Sequence, residues 1–504
     1  MTEVLYTHGR FYSAADPRAT AMLVRDGRIA WLGDSGDAPR ADRTVELDNG
    51  LVTPAFVDAH QHATDTGLAI DGLDLSAVRD RSELLDAVAA FASTRAPEAV
   101  VHGHGWDEST WADQTLPTAG ELDRAAGGRR VYLSQASVHS ALTSPALLAA
   151  AGLPTGESLV KEEQHHAVRA IALNDLTPAQ RTTAQRAALA KAASLGIAAV
   201  HECGGPGTSS EADLTSVLAL SGQGLPQVFG YWGELGGALK AKELGAVGAA
   251  GDLYADGALG SSTAHVRSEY STGGCGEAFV SASQAADHLI DCITVGVQGG
   301  FHAIGDAAIE TVLEGFALAA KSVGVDAVRE GRHRIEHVEL IDKAMIARMV
   351  EFGVIASVQP VFDELWGGPD RMYAQRLGVE RAMASNPIGA MHATGVQLAF
   401  GSDSPVTPLD PWAVVVAAAA PRNPVYRMNV RAAFAASTSG GWRAALVDDA
   451  GVLAPGKSAT FAVWDTPGGV RAGLPDLLPD VEGVAPARPV CRRTVLHGQT
   501  IYEV

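Results

Sequence analysis

The chain has 504 residues, 47% of them hydrophobic and 19% charged, with a formal net charge of −20. Such a chain can bury a large core, and its length exceeds one ordinary compact domain unless the fold is a large α/β barrel. The acidic balance repels phosphate backbones and anionic lipid, which argues against nucleic-acid and membrane-surface partners, and it names no substrate.

The N-terminus, MTEVLYTHGR, has no basic stretch followed by an apolar run, so no signal peptide is visible. Residues 21–33, AMLVRDGRIAWLG, then read as strand, Asp-Gly turn and strand. The far end repeats this style in KSATFAVWD and RTVLHGQTIYEV, where His497-Gly498 makes a turn. These signals predict a β-sandwich built from both termini, residues 1–53 and 446–504, around an inserted middle of 54–445.

The middle alternates apolar strands with amphipathic helices. Residues Thr177, Pro178 and Gly196 predict an N-cap, a first-turn proline and a helix stop, with a strand following at Ile197 to His201. Further strands are expected at Val131 to Ser134, Gln227 to Tyr231, Val295 to Phe301, Arg334 to His337, Gly353 to Val358 and Val396 to Phe400. With the strand that ends at His60 and His62, and Asp252 to Ala255 included, the candidates number nine, so one lies outside an eight-stranded (β/α) barrel. Residues 69–130 read as an insertion after the first strand. The four cysteines show no CxxC spacing and the longest apolar run, Trp412 to Ala420, is about half a membrane span, so a soluble cytoplasmic protein is expected.

Chemistry in such a barrel sits where strands end at the C-terminal face. Here those ends carry His60 and His62, His302 in GGFHAIGD, His337 in RIEHVE, and Asp403 in LAFGSDSP. A spacing of two puts His60 and His62 on one face of a strand. Four imidazoles and a carboxylate suit a divalent metal, Zn first and Mn second, with an open position for water. A second His-x-His, His102 and His104, sits in a Gly-rich setting that makes a poor rigid ligand pair. His165-His166, in KEEQHHAVR, reads as solvated.

The pattern resembles the amidohydrolase superfamily, specifically its YtcJ-like branch, amidohydrolase family 3. The resemblance runs through PAFVDAHQH, GHGWDESTW, VYLSQASVHSALTS, GIAAVHECGG, YADGALGSSTA, FHAIGDAAIETVL, HRIEHVELI and FGSDSPVTPLDPW. It implies a metal-bearing barrel with a terminal β-sandwich, one or two ions, hydrolysis of a carbon–nitrogen bond in a small molecule, and, by analogy alone, a homodimer. Asp403 matches the family's catalytic aspartate, which takes a proton from water and hands it to the leaving nitrogen. His139 matches a histidine that faces the substrate and stabilises a developing oxyanion. Trp106 and Asp256 match segments expected beside the substrate.

The chain departs from its relatives at Asp252, where they often carry a lysine whose carbamylated form bridges two metals. Asp252 or Glu202 then supplies the carboxylate, or the site holds a single ion. Two other readings stay open: a hydrolytic deaminase on the same scaffold, and a non-catalytic small-molecule or metal-binding relative. The deaminase needs a general-acid glutamate, Glu202 or Glu336, and strand alternation expects Glu336 to point away from the face that His337 uses.

Overall fold

The computed structural model describes residues 3–108, 111–135, 140–466, 478 and 488–504, apart from the side chains at 162, 163 and 166. These fall into two compact units, one of residues 1–61, 189–207 and 218–504, the other of 62–188 and 208–217.

The first unit holds eight parallel strands in strict chain order: β1 (Phe56–Gln61), β2 (Ile197–Gly204), β3 (Gln227–Trp232), β4 (Gly248–Ala249), β5 (Gln298–Ala303), β6 (Arg334–His337), β7 (Ile355–Val358) and β8 (Gln397–Phe400). The sheet closes where the Asp403 amide donates to the His60 carbonyl at 2.7 Å and Gln61 bridges Ser404. The strands are buried along nearly their whole length, as expected of a parallel sheet covered on both faces.

Helices follow because the intervening segments change period. Ala282–Val295 starts at a capping box of Ser281 with Gln284 and stops at Gly296, whose φ of 77° only glycine adopts readily. Asp306–Val323 buries Ile309, Val312, Leu313, Phe316 and Ala319, the spacing of one helix face.

Two sheets build the β-sandwich in the same unit. One orders Arg28–Gly33, Ala21–Arg25, Glu3–Thr7 and Arg43–Glu46; the other orders Arg10–Phe11, Leu51–Pro54, Phe461–Asp465, Val490–Leu496 and Gln499–Glu503. Leu51–Pro54 pairs antiparallel with Phe461–Asp465, Val52 opposite Val463, so both ends of the chain share one sheet. Tyr6, Phe11, Met22, Ile29, Phe461 and Val495 fill the space between the sheets. Both expected turns form in the left-handed region, at Asp26-Gly27 (φ 50° and 74°) and His497-Gly498 (φ 48° and 77°).

The second unit has its own mixed sheet, ordered Leu159–Lys161, Ser140–Thr143, Val131–Gln135, Val101–Trp106 and Leu73–Asp74. It contains the whole of 69–130 and extends beyond it on both sides. Of the nine candidate strands, Val131 to Ser134 is the one that lies outside the barrel. It pairs antiparallel with the strand that begins at Ser140, a connection too short for a helical crossover to a parallel neighbour. The barrel strand near 252 is the two-residue β4, and Asp252 lies just past its end, after Gly251 turns the chain at φ 77°. Among the described residues no helix is long and apolar enough to cross a membrane.

His333 gives the fold a pH dependence. It is buried beneath Phe316, and its Nδ1 accepts from the Gly299 amide at 2.8 Å. Burial, followed by the neighbouring His288, lowers its pKa from 6.5 to about 4. The unfolded chain therefore takes a proton below about 6.5 that the folded chain refuses until about 4. Stability present above pH 6.5 is lost as pH falls through this window, by roughly 3 kcal/mol from this group. Denaturant unfolding of wild type and His333→Asn between pH 7.5 and 4 should show a shallower acid loss in the variant; parallel curves would contradict the assignment.

Candidate metal centre

Three histidines from different strands turn one nitrogen each toward Asp252 Oδ1: His60 Nε2 at 3.4 Å, His302 Nδ1 at 3.7 Å and His337 Nε2 at 3.9 Å. Asp403 Oδ1 stands 3.5 Å from His60 Nε2. The ligand atoms of His60, Asp252 and His337 all lie within 4.8 Å of one another, and all three residues are buried. His62 follows two residues after His60 and occupies the N-cap of the helix Ala63–Asp71.

The far nitrogen of each ring meets an oxygen that only accepts or is placed to accept. His60 Nδ1 contacts Glu336 Oε2 at 2.9 Å, His337 Nδ1 contacts Gln359 Oε1 at 2.8 Å, and His302 Nε2 contacts the Gly257 carbonyl at 3.1 Å. In the neutral rings these contacts put the proton on the outer nitrogen and leave the lone pair on the inner one. The lone pairs of His60 and His337 and a carboxylate oxygen of Asp252 then lie close enough to share a divalent cation, while His302 Nδ1 faces the same Asp252 oxygen but enters none of the close ligand groups found among the described residues. His302 Nδ1, buried and with no hydrogen-bond partner, fits the same reading. Electrostatics favour positive charge at two of the three rings, His60 and His302, whereas burial and the neighbouring His302 lower the His337 pKa. Burial lowers the His60 pKa, but Cys203, Asp252 and Asp403 outweigh it and hold the value well above that of an ordinary histidine. Burial likewise opposes, and Asp252 overcomes, at His302, so the acidic neighbours draw positive charge to this spot.

Local backbone aims the groups. His337 has φ 70°, Val338 φ 52° and Asp403 φ 56°, a region costly for non-glycine residues, above all for the β-branched valine. This corrects the expectation for Glu336. The left-handed turn at His337 breaks strand alternation, so Glu336 and His337 both reach His60, one through its Nδ1 and the other with ring centroids 5.1 Å apart. Asp58, one turn of the pleat before His60, accepts from the Ser402 amide at 2.9 Å and hydroxyl at 2.6 Å, which pins the loop that carries Asp403. Burial of Asp58, partly offset by those bonds, pushes its carboxyl up to about 6.

Of two residues expected beside the substrate, Trp106 fills a core, and Asp256 holds a loop with its Oδ1 3.8 Å from His302 Nε2. Trp106 is fully buried in the core of the second unit, its indole N–H donating to the Leu133 carbonyl at 2.8 Å, so it has no surface to offer. Asp256 is fully buried too. Its carboxylate accepts from the amides of Gly305 at 2.7 Å, His265 at 2.8 Å and Ile304 at 3.0 Å, so it anchors the loop after β5. His139 lies outside the described residues. Glu202 is buried on β2 opposite Gln61, and it enters none of the close ligand groups found among the described residues. His102 and His104 enter none either; burial drops the His102 pKa to about 4, and His104 Nε2 contacts the Ala69 carbonyl. His165, expected in solvent, is buried with its Nε2 2.8 Å from the Tyr132 hydroxyl.

Sequence reasoning missed Arg334 and Gln359. The signal for the first was present: a charged Arg-x-Glu repeat, Arg334 and Glu336, on one face of a strand otherwise read as apolar. Gln359 closes β7 and had no such mark.

A family model described as "Amidohydrolase family" matches residues 43–502. The chain is 26% identical to the protein LONG AFTER FAR-RED 3 of Arabidopsis thaliana, over 92% of this chain and 88% of that one. It is 24% identical to the putative amidohydrolase YtcJ of Bacillus subtilis, over 78% and 79%. It is 23% identical to the N-substituted formamide deformylase of Arthrobacter pascens, over 83% of each. Among solved structures, an uncharacterized metal-dependent hydrolase from Pyrococcus furiosus matches with a TM-score of 0.78 at 25% identity, covering 92% of this chain and 98% of that one.

Proposed function

Because the chain belongs to the amidohydrolase family, we propose that it is a metal-dependent hydrolase of a carbon–nitrogen bond outside the peptide class, in a small molecule, with Asp403 carrying the proton. The observation that carries this reading is the convergence of His60, His302 and His337 on Asp252 Oδ1, with Asp403 alongside. A similar protein named for deformylation of N-substituted formamides supports the choice of bond.

His60, His302, His337 and Asp252, with His62 from the same His-x-His, hold the ion in this reading, and Asp252 takes the position of the relatives' lysine. Zinc is the first candidate for a site rich in imidazole, and a single tightly held ion fits a carboxylate that is too short to bridge as a carbamylated lysine does. Such a cation, when bound, supplies Lewis acidity and activates water for attack on carbon. Asp403 receives the proton lost by the attacking water and delivers it to the departing nitrogen, which then leaves as an amine.

The deaminase reading loses one of its acids, since Glu336 is committed to Arg334 and His60. A panel of N-formyl and N-acyl amines, scored for free amine and for ammonia, separates the two: amine release supports hydrolysis of the substituted bond, and ammonia alone contradicts it. Exhaustive chelation should abolish turnover, with Zn²⁺ or Mn²⁺ restoring it. Full activity in metal-free protein would exclude the scheme.

A further inference from the structure

Beneath the metal centre the barrel interior holds charge where branched aliphatic side chains usually stack. Arg334 and Glu336 are fully buried and paired through two contacts, Nε to Oε1 at 2.5 Å and an Nη to Oε2 at 2.9 Å. The same guanidinium donates to the Ala59 carbonyl at 2.7 Å, the Ser357 hydroxyl at 2.8 Å and His201 Nδ1 at 2.9 Å. It lies over the Tyr231 ring, 4.3 Å from its centroid. One side chain thus ties β1, β2, β3, β6 and β7 together. His201, accepting from a guanidinium that can only donate, is neutral, and burial with that neighbouring positive charge holds its pKa well below an ordinary histidine.

A buried ion pair is a poor way to stabilise a fold, because well-packed apolar residues of similar volume do as well or better. This pair has a second contact that apolar residues cannot replace: Glu336 Oε2 on His60 Nδ1 at 2.9 Å. We infer that Glu336, clamped by Arg334, is a positioning residue that fixes the tautomer and ring angle of His60 and so sets the affinity of the site for its cation. Arg334 holds both oxygens of Glu336, so the carboxylate can face only one way. The inference rests on the proposed metal site.

The test compares wild type with the double apolar replacement Arg334→Met plus Glu336→Leu and with Glu336→Gln, reading Zn²⁺ affinity by chelator competition and stability by denaturant unfolding. The double variant removes both charges together and keeps the volume, but it takes the Glu336 contact from His60 Nδ1 and the Arg334 contacts from His201 Nδ1, the Ala59 carbonyl and the Ser357 hydroxyl, so its unfolding midpoint should fall while the protein still folds cooperatively. Its Zn²⁺ affinity should fall 10–100-fold, as for loss of partners that orient a metal-bound histidine. Affinity within a factor of two of wild type in a folded double variant overturns the inference and leaves the metal site standing. Wild-type protein that binds no Zn²⁺ overturns the proposed function itself and this inference with it. Should the variants fail to fold, ¹⁵N-histidine NMR of the Zn²⁺-loaded wild type decides: a proton on His60 Nδ1 supports the inference, and a proton on Nε2 overturns it.

Discussion

On the proposed mechanism, Asp403→Asn should abolish turnover while the protein keeps its metal and its fold. The substitution preserves shape and removes the basic oxygen, so the group can no longer accept a proton from water or return it to the leaving nitrogen. Loss of such a proton carrier removes about 10²–10⁴-fold in rate. The four imidazoles and Asp252 are untouched, so metal content measured by elemental analysis should stay close to wild type. The backbone constraint is also untouched, because the Asp403 amide still donates to the His60 carbonyl, and asparagine tolerates the φ of 56° at this position about as well as aspartate. Wild-type rates in the variant would remove Asp403 from the chemistry.

The second large effect is on stability. Asp256→Ala deletes a carboxylate that accepts three buried amides, from His265, Ile304 and Gly305. Each buried donor left without a partner costs about 1–3 kcal/mol, so the variant should lose roughly 3 kcal/mol or more. Gly257, next to Asp256 in the chain, sets the tautomer of His302 with its carbonyl. Zn²⁺ affinity should therefore fall together with the unfolding midpoint, whereas Asp256→Asn, which keeps one accepting oxygen, should lose less of both. An alanine variant of unchanged stability would contradict the anchoring role.

Much of this architecture was legible before any coordinates. Strand ends bearing His60, His302, His337 and Asp403 announce themselves because each polar residue closes an apolar run, and the paired turns at Asp26-Gly27 and His497-Gly498 mark the terminal sheets. What stayed hidden has physical reasons. Val131 to Ser134 has the composition of a barrel strand, and only its antiparallel partner shows otherwise. Trp106 sits in a motif shared with relatives, yet hydrophobic burial decides its place. The orientation of Glu336 could not be read from period-two alternation, because the left-handed backbone at His337 interrupts it. Asp252 was one of two candidate carboxylates in the sequence, with Glu202; three ring nitrogens within 3.9 Å of one of its oxygens favour Asp252.

Anomalous diffraction at the zinc edge, on crystals of the protein purified and loaded with Zn²⁺, tests the central claim most directly. The account predicts one strong peak about 2.0–2.2 Å from nitrogen atoms of His60, His302 and His337 and from a carboxylate oxygen of Asp252 or Asp403. A peak elsewhere in the molecule, or none with these side chains packed as a metal-free cluster, would contradict it.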